Sequence, residues 1–221
     1  MNRYLRTVFS LILTFTGMWA VASTPIRGTQ EADVERMYQF VAARNPAFTR
    51  EIAEAFHEVG KIYGVRGDIA LCQAIIETGW FRFDNGTAVH PSAHNYCGLG
   101  VHSRGEKGCS FSSVRDGVTA MIQHLYAYSC KDRIPEGENM LDPRFGFVNR
   151  GCAEYWESLS GKWAMNDSYG DKILALYHSM LRHEVKPLNI QYIEVKIPGN
   201  ALCEAHDEDA EHDAEDHPFF K

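Results

Sequence analysis

Apolar residues recur at three- and four-residue steps in five segments of this 221-residue chain. Spacing of that kind is met by a helix with one buried stripe, and several such stripes must cover one another. The first segment, Glu31 to Ala43, places Val34, Met37, Tyr38, Val41 and Ala42 on one face. The second follows Asn45-Pro46, carries Ile52, Ala55, Phe56, Val59 and Ile62, and stops at Gly64. The third runs from Ile69 to Thr78, with Gly67-Asp68 as its N-cap and Gly79 closing it. The fourth, Ser113 to Ser129, aligns Val114, Val118, Met121, Ile122, Leu125 and Tyr126, and the fifth, Tyr169 to Arg182, aligns Ile173, Leu176, Tyr177 and Met180. Between Phe83 and Phe111 the composition shifts to Gly, His, Asn, Ser and Pro, which predicts loops or a small β-hairpin. The expectation is a mainly α (α+β) fold. Its helical domain, residues 30–187, carries a loop or hairpin insertion directly after the helix that ends near Glu77.

The termini and cysteines place the chain outside the cytoplasm. Arg3 and Arg6 precede an uncharged apolar run from Val8 to Val21 that exits through Ala20-Val21-Ala22. This predicts a signal peptide over residues 1–22, and a secreted protein, periplasmic or extracellular. The run is shorter than the roughly 20 residues of a membrane-spanning helix, so a retained anchor is the lesser reading and no stable membrane insertion is expected after cleavage. Six cysteines in an exported chain favour disulfides. Cys97 with Cys109, and Cys130 with Cys152, flank loops and are the expected pairs, while Cys72 reads as a buried thiol. The net charge of -7 comes largely from Glu204 to Lys221, which holds eight of the 29 acidic residues and one lysine. The rest is balanced, so no nucleic-acid footprint is expected. That tail, mixing His206, His212 and His217 with carboxylates, reads as solvated chain; no metal or other cofactor is assigned. The segment 188–203, with loosely alternating β-branched residues from Asn189 to Ile197, reads as a C-terminal extension with a short strand.

Cleaving a glycosidic bond requires a carboxylic acid that is still protonated near neutral pH. Glu77 has neighbours suited to that, because Ile76, Trp80 and Phe81 disfavour its charged form by desolvation. A helix-end glutamate is otherwise an ordinary solvated residue, so other residues must carry the assignment.

Six segments in order supply it. The run Ala70-Leu71-Cys72-Gln73-Ala74-Ile75-Ile76-Glu77-Thr78-Gly79-Trp80 resembles the "ETGW" helix end of the glucosaminidases, glycoside hydrolase family 73. His94-Asn95-Tyr96-Cys97-Gly98-Leu99-Gly100 is similar to their "NNxxGxG" loop, and Ser110 to Val118 to their next helix start. Asp142-Pro143-Arg144-Phe145, Leu159 to Ala164 and Tyr169-Gly170-Asp171-Lys172-Ile173 resemble the closing motifs. The likeness spans roughly Tyr38 to Leu181. It implies a lysozyme-like fold gripping a β-1,4 aminosugar chain, with peptidoglycan or another N-acetylglucosamine polymer as partner. By the same resemblance Glu77 is the general acid and Tyr169 lines the cleft near the reacting sugar. Asn95, Tyr96, Trp80 and Trp163 are then glycan-binding candidates, their amides and ring faces suiting N-acetyl groups and sugar rings.

The second carboxylate is less defined by the sequence. Glu106, in Ser103-Arg104-Gly105-Glu106-Lys107-Gly108, is the candidate base or nucleophile. Asp84 and Asp116 are poorer ones, and assistance by the substrate's own N-acetyl group is an alternative. A lytic transglycosylase, which needs no separate base, and a non-catalytic wall-binding domain are the rival functions. The histidines His90, His94 and His102 read as loop or groove residues.

Overall fold

Helix α3, Gly67–Thr78, has ten of its twelve residues buried, which makes it the central element around which the others are laid. In the computed structural model, residues 23–84, 89–101 and 107–187 are described. The expectations for the leader, Glu106, His102, Cys203 and the segments 188–203 and 204–221 lie outside them. Four further helices complete the framework: α1 (Val34–Ala42), α2 (Arg50–Tyr63), α4 (Val114–Ser129) and α5 (Tyr169–Leu181). Helix α2 packs on α1, α3 and α4, and α5 packs on α1 and α3. Ile69, Leu71 and Ile75 of α3 are at most 1 % exposed, and burial of each such side chain stabilises the fold by about 1.5–3 kcal/mol. Among the described residues no helix is long and apolar enough to cross a membrane.

The α2–α3 crossing depends on two glycines that face each other. A Cβ on Gly60 would lie 2.8 Å from the Gly67 Cα, and one on Gly67 would lie 2.0 Å from the Phe56 carbonyl oxygen. Any side chain at either position forces the two backbones apart. The same pinning recurs at the start of α5, where a Cβ on Gly170 would meet the Trp156 carbonyl oxygen at 2.4 Å.

Two helix starts differ from the sequence reading. Helix α1 begins at Val34, because the Asp33 side chain accepts the Arg36 N–H at 2.8 Å. Helix α3 begins at Gly67 with Arg66 as its cap residue, so Gly67-Asp68 does not form the N-cap. The fully buried Asp68 carboxylate instead accepts the N–H groups of Glu31 at 2.8 Å and Ala32 at 3.2 Å. Arg66 closes this network, 3.5 Å from Asp68 and 2.9 Å from Glu31, while also bonding the Tyr177 hydroxyl on α5.

In its described residues the insertion after α3 is loop. Its described residues hold one 3-10 turn, Pro91–Ala93, and no paired strands; the β-bridges Pro25–Tyr155, Arg27–Val65 and Ser160–Ala164 lie elsewhere. The five described cysteines, Cys72, Cys97, Cys109, Cys130 and Cys152, are free thiols, so neither expected bridge is formed. Cys72 is fully buried, as its place on the apolar helix predicts.

Candidate active site

Glu77 occupies the last turn of α3, half-buried and beside a sharp reversal of the chain. Gly79, Trp80 and Phe81 have φ of 60°, 63° and 58°. Left-handed backbone costs a bulky residue about 1–2 kcal/mol, so tertiary contacts must hold this turn. The Thr78 hydroxyl accepts the Phe81 N–H at 2.9 Å and donates to the Ala74 carbonyl at 2.6 Å. The buried Phe81 ring packs on Phe48, Phe56 and Tyr96. The Trp80 ring packs against Phe40 on α1, with the Arg44 guanidinium 4.3 Å from its centroid. Trp80 thus braces the turn against α1 while staying half-exposed, and its glycan-binding role is a proposal.

The carboxyl group of Glu77 meets two donors brought from far along the chain. The Tyr169 hydroxyl, at the first position of α5, donates to Oε1, and the Trp163 indole also hydrogen-bonds to the carboxyl group. Burial raises the Glu77 pKa above the ordinary carboxylate range, and the bonds from Tyr169 and Trp163 partly oppose that rise. Gln73, one turn earlier on α3 and fully buried, donates its amide N–H to the Tyr169 oxygen at 3.0 Å. Burial and the adjacent Glu77 drive the Tyr169 phenol far above its ordinary range, so it remains a proton donor. Gln73, Tyr169 and Glu77 thus form one directed chain with α3 at both ends. Gln73 was not singled out from the sequence, although it is the one polar side chain between Ile69 and Ile76.

Glu77, Phe83, Asn95, Val101 and Trp163 line a cavity of about 360 Å³. Glu77 is the one carboxylate among the described residues that line it. A larger hollow of about 760 Å³, lined by Arg27, Gln30, His57 and Lys61, has no acid among the described residues of its wall, so chemistry rather than size selects the smaller cavity. Asn95 is 1 % exposed and its amide is fully engaged. Its Nδ2 donates to the carbonyls of Leu99 at 2.9 Å and Cys109 at 3.0 Å, and its Oδ1 accepts the N–H groups of Leu99 at 3.0 Å and Cys97 at 3.4 Å. No donor or acceptor is left for an N-acetyl group; Asn95 shapes the wall by fixing the loop. Tyr96 is also corrected: it is 2 % exposed, with its ring among Phe56, Phe81 and Phe83. That aromatic packing buries the face a sugar would need.

Asp116 lies in the first turn of α4, where its N–H is capped by Ser113 at 3.1 Å. Asp84 pairs with Arg82 at 3.4 Å. His90 and His94 flank the 3-10 turn. Behind Trp163 stands His124, which no motif singles out; its ring sits edge-on at 5.0 Å and its Nδ1 lies 2.7 Å from the buried Asp142 carboxylate. Tyr128 completes the stack, 5.6 Å from Trp163.

A single half-buried acid with two donors, in the wall of a cavity with an aromatic side, has the composition of a glycosidase acid site. Residues 53–182 match the Glucosaminidase family model, described as mannosyl-glycoprotein endo-beta-N-acetylglucosaminidase. An uncharacterized protein of Borreliella burgdorferi is 34% identical over 157 residues, covering 69% of this chain and 75% of that protein. The chain belongs to the glucosaminidase family, and it is a glycosidase. Among solved structures, S. aureus autolysin E in complex with the muropeptide NAM-L-Ala-D-iGlu aligns at 13% identity and a TM-score of 0.42, over 75% of this chain and 76% of that one. The catalytic domain of the autolysin Auto from Listeria monocytogenes aligns at 19% identity and 0.39, over 80% and 97%.

Proposed function

We propose that this protein is an exported endo-β-N-acetylglucosaminidase that hydrolyses β-1,4 bonds of peptidoglycan, with Glu77 as the general acid. The observation that carries the proposal is the Gln73–Tyr169–Glu77 chain at the cavity wall. Burial favours the protonated carboxyl group, Tyr169 engages Oε1, and the other oxygen can deliver its proton to the departing sugar oxygen. Trp163 offers a ring at the same wall for the sugar to stack on. Glu106, five positions after Val101 in the sequence, is proposed as the second carboxylate that activates water or attacks the sugar.

Export through residues 1–22 belongs to the same proposal, as does oxidation of the free thiol pairs Cys97 with Cys109 and Cys130 with Cys152 to bridges once the chain reaches an oxidising compartment. The second pair is supported by the segment around Gly151, which bonds back to the end of α4: Gly151 N–H to Ala127 at 3.0 Å and Ala153 N–H to Tyr128 at 2.9 Å. Intact-mass analysis of the exported protein under non-reducing conditions reads both the leader and the bridges.

The test is mass spectrometry of the fragments released from purified peptidoglycan, beside a Glu77→Gln control. The expected products carry reducing N-acetylglucosamine ends, and their release falls about 10²–10⁴-fold in the control, the usual contribution of a general acid. Anhydro-muramyl ends would assign the protein to the transglycosylases. Equal rates for the two proteins would remove Glu77 from the chemistry.

A further inference from the structure

Behind the wall that carries Glu77, a second set of buried polar groups backs Trp163. Trp163 lines the Glu77 cavity, and its indole hydrogen-bonds to the Glu77 carboxyl group. Its own main chain leaves the direction of the ring open. The turn that carries it is closed by two bonds, Trp163 N–H to Leu159 at 2.9 Å and Gly161 N–H to Ala164 at 2.8 Å. Lys162 and Met165, on either side, are exposed.

Helix α4 supplies the missing support. His124 and Tyr128 stand one turn apart on it. The His124 ring meets the Trp163 ring at 5.0 Å and 78°, the Tyr128 ring lies 5.6 Å from it, and the Tyr128 hydroxyl donates to the Lys162 carbonyl at 3.2 Å. His124 is itself held. Its Nδ1 lies 2.7 Å from Oδ2 of Asp142, whose Oδ1 accepts the Arg144 N–H at 2.8 Å. Gln123, the residue before it, fixes the same loop by accepting the Leu141 and Asp142 N–H groups at 2.8 Å and 2.9 Å. His124 and Asp142 are both buried. Apolar side chains of the same volume often stabilise a core as well as a buried ionisable pair does, so packing alone does not account for a His–Asp pair at this place. What the pair adds is direction: the hydrogen bond sets the plane of the imidazole, and the imidazole sets that of the indole.

We infer that His124 is a positioning residue for the acid: oriented by Asp142, its ring holds the Trp163 indole as the second donor to Glu77. The inference rests on the reading of Glu77 as the acid of a glycosidase and adds a further residue to that site. Glu77 is then held from two sides, by Gln73 through Tyr169 and by Asp142 through His124 and Trp163. The Trp163 bond favours the ionised carboxylate, so loosening the ring raises the Glu77 pKa as well as misdirecting its proton. Among the described residues, the other titratable groups that act on Glu77 are Tyr169 and Cys97. Burial keeps both protonated, so the alkaline limb of activity reports the acid.

Three variants and one spectroscopic signal test it. His124→Gln keeps a donor for Asp142 and loses the ring; Asp142→Ala keeps the ring and loses its anchor; Asp142→Asn keeps a hydrogen-bonding anchor. His124→Gln and Asp142→Ala are each expected to lower kcat about tenfold and to move the alkaline limb of kcat/KM to higher pH, and Asp142→Asn to recover most of both losses. In ¹H–¹⁵N spectra the Trp163 indole signal, assigned with Trp163→Phe, is expected to follow the ionisation of Glu77 in the wild type and to lose that response in Glu77→Gln and in His124→Gln. A limb that stays in place in both impaired variants, a loss confined to KM, or an indole response that His124→Gln leaves whole would overturn the inference. Should His124→Gln not fold, the two Asp142 variants decide it by the same readouts. A wild type that cleaves no glycan would overturn the glycosidase reading, and the indole response would still decide the positioning.

Discussion

Replacing Tyr169 with Phe removes one oxygen and keeps the ring, so its effects isolate the hydroxyl that joins Gln73 to Glu77. Tyr169 is 4 % exposed, and water does not readily replace the lost group. Hydrogen bonds to a charged group contribute about 1.5–3 kcal/mol, and the bond from Tyr169 favours the ionised carboxylate. Its loss raises the Glu77 pKa further above the ordinary range. At 1.36 kcal/mol per pH unit, the alkaline limb of kcat/KM is expected to move up by at least about one pH unit. The acid also loses its orientation, which lowers the maximal rate by about tenfold or more. The assay is initial-rate hydrolysis of solubilised glycan strands between pH 4 and 9. A limb that stays in place, or moves to lower pH, would refute the claim that Tyr169 stabilises the ionised form of the acid.

Three further outcomes follow from contacts described above. Asn95→Ala removes the side-chain donor to the Cys109 carbonyl and the acceptor of the Leu99 and Cys97 N–H groups, and is expected to cost about 3 kcal/mol, or about 10 °C in Tm by calorimetry. Asp68→Asn strands the Arg66 charge beneath α1 and α5; urea unfolding should show a loss of about 3 kcal/mol, the low end for a broken buried pair, because Glu31 still contacts Arg66. Glu77→Gln is expected to be more stable than the wild type at pH 8, by about 0.5–2 kcal/mol, the range for relieving a compromise made at a functional site. The raised folded-state pKa sets that sign. The contribution of Glu77 to stability is full below its unfolded value and is lost as pH rises through the folded one, so the two proteins should converge towards pH 4.

Periodicity alone placed all five helices, because each buries a stripe against neighbours whose identity does not matter to the pattern. Helix α3 is covered nearly all round, so its periodic stripe lies within a longer apolar run. The acid was legible because Glu77 interrupts that run at its end, just before Gly79. The same logic applies to Gln73, which was passed over: a lone polar side chain inside an apolar helix must find a partner. Asp68 was misread because local sequence shows a helix start but not the two N–H groups, 36 and 37 residues earlier, that claim its carboxylate. Tyr96 was misread for a related reason. An aromatic residue beside a glycine-rich loop looks exposed until Phe56 or Phe81 arrives from another element. His124 and Asp142 carry no mutual spacing rule, since one lies on α4 and the other in a loop 18 residues away.

The two ends of the acid–phenol pair are 92 residues apart, and Tyr169 opens the last helix. During synthesis at about 5–20 residues per second, roughly 5–20 seconds separate the emergence of Glu77 from that of its donor. Until α5 docks, Glu77 has neither the phenol nor the burial that keeps it protonated. With Glu77 as the proposed acid, the half-made chain is inert, and the capacity to cut appears only with the closed fold, which no fragment ending before Tyr169 possesses.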